Sequence, residues 1–158
     1  MFYIKERKYP IIESKYILSN FGELVNNTFD GGEQLFLDKN NRHIFIDLNN
    51  ETFECYGINV ILDACKFCNT NYSLKPDTDM SLFYKKPSVL NKILVCNDFS
   101  EKCYVDYNNK IILFGDISAL GDCYQFFKDT YCIYSNNNVK LIFIKVEDQI
   151  LNYINTHS

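Results

Sequence analysis

Seven cysteines are the residues of this sequence that most directly suggest chemistry. Cys65 and Cys68 form a CxxC motif, a spacing used both by zinc ligands and by redox-active thiols. A structural zinc site needs four ligands, and His43 is the only histidine away from the end of the sequence. A redox pair of the thioredoxin type opens a helix, whereas the apolar spacing around Cys65 predicts the last turn of one. We therefore predict that the cysteines pack in the core as small hydrophobes, and that the protein holds neither a metal nor a cofactor.

Carboxylates offer two further arrangements. Asp77 and Asp79 form an Asp-x-Asp motif that resembles a metal clamp, but they follow Pro76 in a polar stretch that predicts a solvated turn. Asp47 and Asp106 each begin a similar tetrapeptide, DLNN and DYNN. Two such carboxylates can share a proton and act as an acid–base pair if the fold brings them together. We favour turn chemistry instead, because an aspartate side chain can accept hydrogen bonds from the backbone of its own hairpin.

Other catalytic signatures are missing from the sequence. Its two histidines, one of them the penultimate residue, support no Ser-His-Asp or Cys-His arrangement. The stretch GDISALGD, at residues 115–122, lacks the Lys-Ser/Thr of a phosphate-binding loop and the spacing of a dinucleotide-binding loop. We predict no catalytic residue and a protein that is not an enzyme.

The spacing of apolar residues predicts a mixture of helices and strands. Helices are predicted at residues 14–26, 58–68, 116–129 and 147–155, where apolar side chains recur every three or four positions. Short strands are predicted at residues 34–37, 43–48, 52–56, 81–86, 93–96, 102–107, 111–114 and 139–146. Asn-rich connections between them are typical of tight turns, because asparagine tolerates the left-handed backbone conformation.

An internal repeat organises these elements. When residues 33–72 are aligned with residues 92–131 without a gap, eight positions are identical, among them the aspartates of DLNN and DYNN. We predict an α+β fold of antiparallel β-meanders with packed helices, within a single globular domain spanning residues 1–158. We favour a fold with two copies of a β-β-β-α-β unit, at about 33–91 and 92–150, plus an N-terminal helix. The alternative is one α+β domain in which the identities between the two segments arise by chance.

Charge and hydropathy exclude several classes of protein. The net charge of −4 argues against a general nucleic-acid-binding protein, which usually carries a basic excess. The segment MFYIKERKYP is charged from its fifth residue and does not resemble a signal peptide. The longest apolar runs are too short to span a bilayer. Cysteines without an export signal favour a reducing compartment, so we expect a cytoplasmic protein with reduced cysteines.

Acidic residues are concentrated in the first part of the sequence. Between residues 13 and 63 there are nine acidic and three basic side chains, which gives this segment a net charge of −6. In size, acidity and tyrosine content the sequence resembles the bacterial immunity proteins that neutralise contact-dependent or polymorphic toxins, many of which are basic nucleases. The resemblance is to a class of proteins and carries over no residue. It implies a non-catalytic inhibitor that binds a basic protein partner, without a membrane or direct nucleic-acid contact.

The predicted partner-binding site lies on the first β-meander. Its residues are Asp38, Asp47, Glu51 and Glu54, whose carboxylates would attract a basic partner and speed its capture. Three alternatives remain open: a viral or parasite protein that binds a host protein and would have much the same sequence profile, a small-ligand-binding or enzymatic domain with a cleft between the repeats, and a homodimer that extends a sheet edge. A toxin gene beside this one would favour the immunity protein.

Overall fold

In the computed structural model, the regular secondary structure is almost entirely β. It describes residues 1–26, 32–37, 43–62, 65–72, 75–89, 93–96, 99 and 102–157. These residues form fourteen β-strands and one α-helix, which follows the last strand. The predicted α+β fold with several packed helices is therefore wrong.

The strands are two to eight residues long. In chain order they are β1 (Phe2–Glu6), β2 (Tyr16–Leu18), β3 (Glu23–Asn26), β4 (Glu33–Phe36), β5 (Ile44–Leu48), β6 (Cys55–Ile61), β7 (Lys66–Phe67), β8 (Met80–Tyr84), β9 (Leu94–Val95), β10 (Cys103–Asp106), β11 (Ile111–Gly115), β12 (Asp122–Phe127), β13 (Thr130–Ser135) and β14 (Asn138–Lys145). The helix α1 (Asp148–His157) begins shortly after β14.

The strands form two six-stranded sheets and a two-stranded ribbon. The first sheet has the order β2-β3-β6-β5-β4-β9, the second has the order β12-β13-β14-β11-β10-β7, and the ribbon pairs β1 with β8. Each six-stranded sheet consists of antiparallel pairs and ends in one short parallel pair, β4 with β9 in the first sheet and β10 with β7 in the second. These two edge strands are exchanged in their order along the chain. β9 comes after all the other strands of the first sheet, and β7 comes before all the other strands of the second sheet.

Residues 14–26 form a β-hairpin in place of the predicted N-terminal helix. The turn between β2 and β3 is closed by the Gly22 N–H, which donates to the Ser19 carbonyl at 3.2 Å. Gly22 has a φ of 76°, a left-handed conformation that glycine adopts without the steric cost of a side chain. Phe21, which the helical pattern placed on the apolar face, is 90% exposed at the tip of this hairpin.

The predicted helix at residues 58–68 is largely replaced by strand β6. Ile58, Val60 and Leu62 are all at most 3% exposed, and their spacing of two residues is that of side chains on one face of a strand, while Asn59 on the other face is also buried. The β-branched side chains of Ile58, Val60 and Ile61 also favour an extended backbone.

The segment 116–129 likewise contains strand β12 where a helix was predicted. Asp116 caps a turn after β11, because its Oδ1 accepts the backbone N–H of Ser118 at 3.0 Å. Leu120, which the helical pattern placed on the buried face, is 85% exposed. Without this helix and the one at residues 58–68, the predicted β-β-β-α-β unit is wrong, whereas an internal repeat at about 33–91 and 92–150 stays a prediction.

Three local predictions are confirmed. DLNN and DYNN both lie where a hairpin turns, between β5 and β6 and between β10 and β11. Asn136 and Asn137 connect β13 to β14 with φ values of 52° and 59°, the left-handed conformation expected of asparagine in a tight hairpin. The last helix, α1, buries Ile150, Leu151 and Ile154, as its apolar spacing predicted.

One hydrophobic core joins the two sheets, the ribbon and α1. It includes Phe2 of the ribbon, Leu35 of the first sheet, Ile142 of the second sheet and Ile150 of the helix. The second sheet is apolar on its other face as well, where Tyr72 packs against a separate cluster. The core therefore holds the ribbon against the sheets through one of the ribbon's two faces.

Candidate functional site

The outer face of the β1–β8 ribbon lines a groove. Phe2 is 1% exposed and points into the core, whereas Tyr3, the next residue, belongs to the opposite face of β1. In the antiparallel register Tyr3 is paired with Phe83, and Lys5 is paired with Ser81. Paired residues share a face of a sheet, so these four side chains lie on the face of the ribbon opposite Phe2, where Ser81 is covered and only 3% exposed.

Tyr3, Phe83 and Lys5 form a compact aromatic platform. The two rings are stacked, with centroids 5.4 Å apart and planes inclined by 11°. The Lys5 Nζ lies 5.5 Å from the Tyr3 centroid and 5.6 Å from the Phe83 centroid, which is within range of a cation–π interaction with each ring. Rigid aromatic side chains lose little conformational entropy when a partner binds, so the platform is suited to anchoring another molecule.

Residues from two other segments complete the groove. Thr52 and Glu54 come from the β5–β6 connection, which is joined to β8 by a hydrogen bond from the Tyr84 N–H to the Phe53 carbonyl at 3.0 Å. Tyr9, which follows β1, also lines the groove and is 77% exposed. The groove has a volume of about 540 Å³.

The groove carries charges of both signs. Lys5 and Lys8 contribute two positive charges, while Glu6 and Glu54 contribute two negative charges. Such a lining, with its tyrosines, resembles a protein–protein interface more than a site for a polyanion, which would need a basic excess.

Glu54 stands where the groove meets a smaller pocket. This pocket has a volume of about 150 Å³, and both Glu54 and Tyr9 line the two cavities. The Tyr56 hydroxyl donates to Glu54 Oε2 at 2.8 Å, which fixes the orientation of the carboxylate. Burial and the hydrogen bond to Glu54 raise the pKa of Tyr56 well above its ordinary value, so this hydroxyl remains a donor at neutral pH.

Arg7 attaches the ribbon to the second sheet. Its Nε donates to the Thr78 carbonyl at 2.9 Å, and its Nη2 donates to the carbonyls of Met80 and Gln125 at 2.8 and 2.9 Å. Gln125 belongs to β12, so one guanidinium connects β1, the start of β8 and the edge of the second sheet. Burial lowers the pKa of Arg7, and the negative charge of Glu54 opposes that shift.

Of the four predicted partner-binding residues, the structure describes three. Glu54 lines the groove, and Glu51 is exposed in the same connection, next to Thr52. Asp47 is half-buried in β5 and accepts a hydrogen bond from Asn59 Nδ2 at 2.8 Å. Burial raises the pKa of Asp47, although the bond from Asn59 opposes the shift. Asp38 lies outside the described residues.

Asp106, at the matching position of DYNN, is a structural carboxylate. It is 0% exposed and accepts four hydrogen bonds. Thr70 donates through its N–H at 2.8 Å and its hydroxyl at 2.7 Å, and Asn109 donates through its N–H at 3.1 Å and its Nδ2 at 2.8 Å. Burial alone would raise the pKa of Asp106, but these bonds outweigh it and the pKa lies below its ordinary value. Asp47 and Asp106 belong to different sheets and have separate partners, so they form no acid–base pair.

The Asp-x-Asp motif is part of the backbone pairing at the edge of the second sheet. The Asp77 N–H donates to the Cys123 carbonyl at 2.8 Å, and the Asp77 carbonyl accepts the Gln125 N–H at 2.9 Å. Its Oδ1 accepts the Asp79 N–H at 2.7 Å, which is the turn chemistry expected of this motif. Within the described part of the chain, no group of three or more His, Cys, Asp or Glu side chains is arranged to hold a metal ion.

The cysteines divide into a buried set and a half-buried set. Four are buried, as expected for core residues: Cys55, Cys96, Cys123 and Cys132. Burial raises the pKa of Cys123 to about 11, which makes it a poor nucleophile at neutral pH. Cys65, Cys68 and Cys103 are half-buried beside β7 and β10. The CxxC pair therefore flanks a short strand and does not end a helix.

The groove was missed at the sequence level because no strand was assigned to the start of the chain. In the stretch FYIKE, the apolar residues Phe2 and Ile4 stand two positions apart, before the charged residues Lys5 and Glu6. This alternation predicts a half-buried strand. That signal would have identified β1 and placed Tyr3 with Lys5 on one face. The pairing of Tyr3 with Phe83 joins residues far apart in the chain and leaves no local pattern.

Comparison with known proteins assigns no function to the chain. No known protein family matches it, and no curated protein matches it. In the residues that the structure describes, no helix is both long and apolar enough to cross a membrane.

Proposed function

We propose that this protein is a non-catalytic inhibitor that binds another protein in the groove of the β1–β8 ribbon, as an immunity protein binds its cognate toxin. The observation that carries the proposal is the stacked Tyr3–Phe83 pair with Glu54 beside it. Aromatic side chains at the centre of a patch, with charged residues around them, are the usual anchors of protein–protein interfaces. The toxin would be one of a contact-dependent or polymorphic system, such as a nuclease, and the inhibitor would act in the cytoplasm.

The partner is a basic protein that inserts an exposed segment into the groove. Glu51 and Glu54 face a lysine or arginine of that segment, and the net charge of −4 steers the partner toward the inhibitor. Lys5 and Lys8 pair with a carboxylate of the same segment, so binding fixes its orientation. Charge then sets mainly the rate of association, while burial of the aromatic platform slows dissociation.

The product of the gene adjacent to this one is the first partner to test. The two proteins are produced together in a bacterial host, and the affinity of the purified complex is measured by calorimetry. We expect the inhibitor to restore growth. We expect Tyr3→Ala and Phe83→Ala each to weaken binding by about 10-fold or more, because each truncates an anchor of the interface. Glu54→Gln should slow association and reduce its dependence on salt.

Leu120→Ala provides the matched control, because Leu120 is 85% exposed and is not part of the groove lining. This variant should protect the host as well as the unmodified protein does. Thermal unfolding of every variant separates loss of binding from loss of folding. Full protection by a folded double variant, Tyr3→Ala with Phe83→Ala, would place the binding surface elsewhere. Binding to a host protein, without toxin inhibition, would favour a viral or parasite protein.

Binding of a small organic molecule is a second candidate function, because the groove volume of about 540 Å³ is that of many ligand sites. A screen of small molecules by thermal shift tests it. A ligand of this groove should raise the unfolding temperature of the unmodified protein and of Leu120→Ala, and should have no effect on Phe83→Ala.

A further inference from the structure

We propose that Cys65 and Cys103 form a redox modification site, a reversible disulfide that takes a low-molecular-weight disulfide as its oxidant. The two Sγ atoms are 2.7 Å apart. Cys65 directly precedes β7, and Cys103 is the first residue of β10. The proposal is independent of what the groove binds.

The backbone around these cysteines has the Cα spacing that a disulfide requires. Lys66 is paired with Tyr104 and Phe67 with Val105 in the parallel register of β7 and β10. Continuing that register by one residue places Cys65 opposite Cys103, with both side chains on the same face of the sheet. Neighbouring strands are about 4.8 Å apart, within the range of roughly 4.4–6.8 Å that Cα atoms span in disulfides. The bond therefore forms without rearrangement of the sheet.

The pair is also placed where a small reagent reaches it. Both cysteines are half-buried, and β7 is the edge strand of the second sheet. Phe67, two residues after Cys65, is 61% exposed. The buried cysteines are shielded by comparison, and burial raises the pKa of Cys132 well above its ordinary value.

The reaction is a pair of thiol–disulfide exchanges. The thiolate of Cys65 or Cys103 attacks one sulfur of the reagent disulfide, which releases one reagent thiol and leaves a mixed disulfide on the protein. The second cysteine, as thiolate, attacks the protein sulfur of that mixed disulfide and releases the second reagent thiol. Two protein thiols are oxidised and one reagent disulfide is reduced, and the protons of the two cysteines end on the departing thiols. A dithiol reductant reverses the reaction.

The disulfide would close a loop that contains β8 and β9. β8 carries half of the ribbon, and β9 completes the first sheet, so the bond links these elements covalently to the edge of the second sheet. Cross-linking a loop of this length removes conformational freedom mainly from the unfolded chain. Oxidation therefore stabilises the fold and leaves the groove residues in place.

The test uses glutathione disulfide as the probe. The fully reduced protein is incubated with it, alkylated, digested and analysed by mass spectrometry. We expect a peptide cross-linked between Cys65 and Cys103, together with a rise in Tm of about 5–10 °C that dithiothreitol reverses. Glutathione adducts without a cross-link, or a cross-link between Cys65 and Cys68, would overturn the proposal.

Cys68→Ser is the matched control, because Cys68 is also half-buried and lies three residues from Cys65. This variant should keep both the cross-link and the rise in Tm. Cys65→Ser and Cys103→Ser should each lose both effects. The peptide map of the unmodified protein decides the question by itself if a serine variant fails to fold.

Discussion

Replacing Asp106 with asparagine should lower the free energy of unfolding by about 3 kcal/mol at neutral pH. Asp106 Oδ2 accepts three hydrogen bonds, two from Thr70 and one from Asn109 Nδ2, while Oδ1 accepts the Asn109 N–H. The asparagine oxygen can replace only one of these two acceptors. If it takes the Oδ2 position, its amide group faces the Asn109 N–H, and that part-buried donor loses its partner.

The magnitude follows from the bonds that change. The unpaired Asn109 N–H costs about 1 kcal/mol, at the low end for such donors, because Asn109 is exposed and the bond is only part-buried. The three remaining bonds fall from charge-assisted strength, about 1.5–3 kcal/mol each, to neutral strength, about 0.5–1.5 kcal/mol each. Because such terms are not additive, we expect about 3 kcal/mol in total. With a urea m-value of roughly 2 kcal/mol/M, the midpoint of unfolding should fall by about 1.5 M.

Asp47→Asn is the matched control, because Asp47 begins the other tetrapeptide but accepts one described hydrogen bond, from Asn59. An asparagine oxygen can accept that bond, and the substitution removes a half-buried charge. We expect a change within about 0.5 kcal/mol, or a small gain in stability.

The two aspartates should also respond to pH in opposite directions. The pKa of Asp106 is lowered in the folded protein, so its carboxylate stabilises the fold above the unfolded pKa of about 3.9 and loses that effect as the pH falls through the folded value. The cost of Asp106→Asn should therefore shrink below about pH 4. The pKa of Asp47 is raised, so its carboxylate destabilises the fold at neutral pH, and any gain from Asp47→Asn should fade as the pH falls toward the unfolded value.

Urea unfolding followed by far-UV circular dichroism at neutral and acidic pH measures both effects, and it suits a chain without tryptophan. The assigned role of Asp106 is refuted if its asparagine variant loses no more stability than Asp47→Asn. It is also refuted if the cost of Asp106→Asn is the same at pH 7 and at the lowest pH where the protein stays folded.

Three further predictions concern the contacts between elements. Tyr16→Phe should lose about 2 kcal/mol of stability in urea, because the Tyr16 hydroxyl accepts the Ile58 N–H at 3.1 Å and forms a hydrogen bond with Thr130 Oγ1 at 2.5 Å. Tyr9→Phe, at an exposed position, should change the stability little. Gly115→Ala should lose about 2–3 kcal/mol in the same assay, because Gly115 has a φ of 111° and an added Cβ would lie 2.6 Å from the Lys140 carbonyl oxygen. Arg7→Met should speed amide hydrogen exchange in β1 far more than in β14, since it removes three hydrogen bonds to backbone carbonyls; equal acceleration in both strands would contradict this role for Arg7.

Local sequence chemistry predicted the turns and the last helix. Asn136 and Asn137, DLNN and DYNN are turns because asparagine and aspartate tolerate or cap tight backbone geometry, and that property acts within a few residues. The roles inside the two tetrapeptides still differ. Asp106 caps its own hairpin, whereas in DLNN the capping group is Asn49, whose Oδ1 accepts the N–H groups of Glu51 and Thr52 at 2.8 and 3.0 Å.

The helices at residues 14–26, 58–68 and 116–129 were predicted wrongly because a strand–turn–strand segment can place apolar residues at helical spacing. Leu18, Phe21 and Leu24 follow that spacing, yet Leu18 and Leu24 are paired across a hairpin and Phe21 lies at its tip. The turn chemistry of Ser19 and Gly22 was the contrary signal. No pattern in one sequence predicts the pairing of Tyr3 with Phe83, and the groove depends on that pairing.

The exchange of β7 and β9 between the sheets has a consequence for how the protein reaches its fold during synthesis. The strands of the first sheet emerge from the ribosome early, but β9 emerges only after β8, and β1 waits unpaired until β8 has been made. Contacts over such long sequence separations make folding slow, about milliseconds to seconds. Neither half of the chain contains all the strands of one sheet, so a nascent or truncated half exposes edges that only the other half can cover.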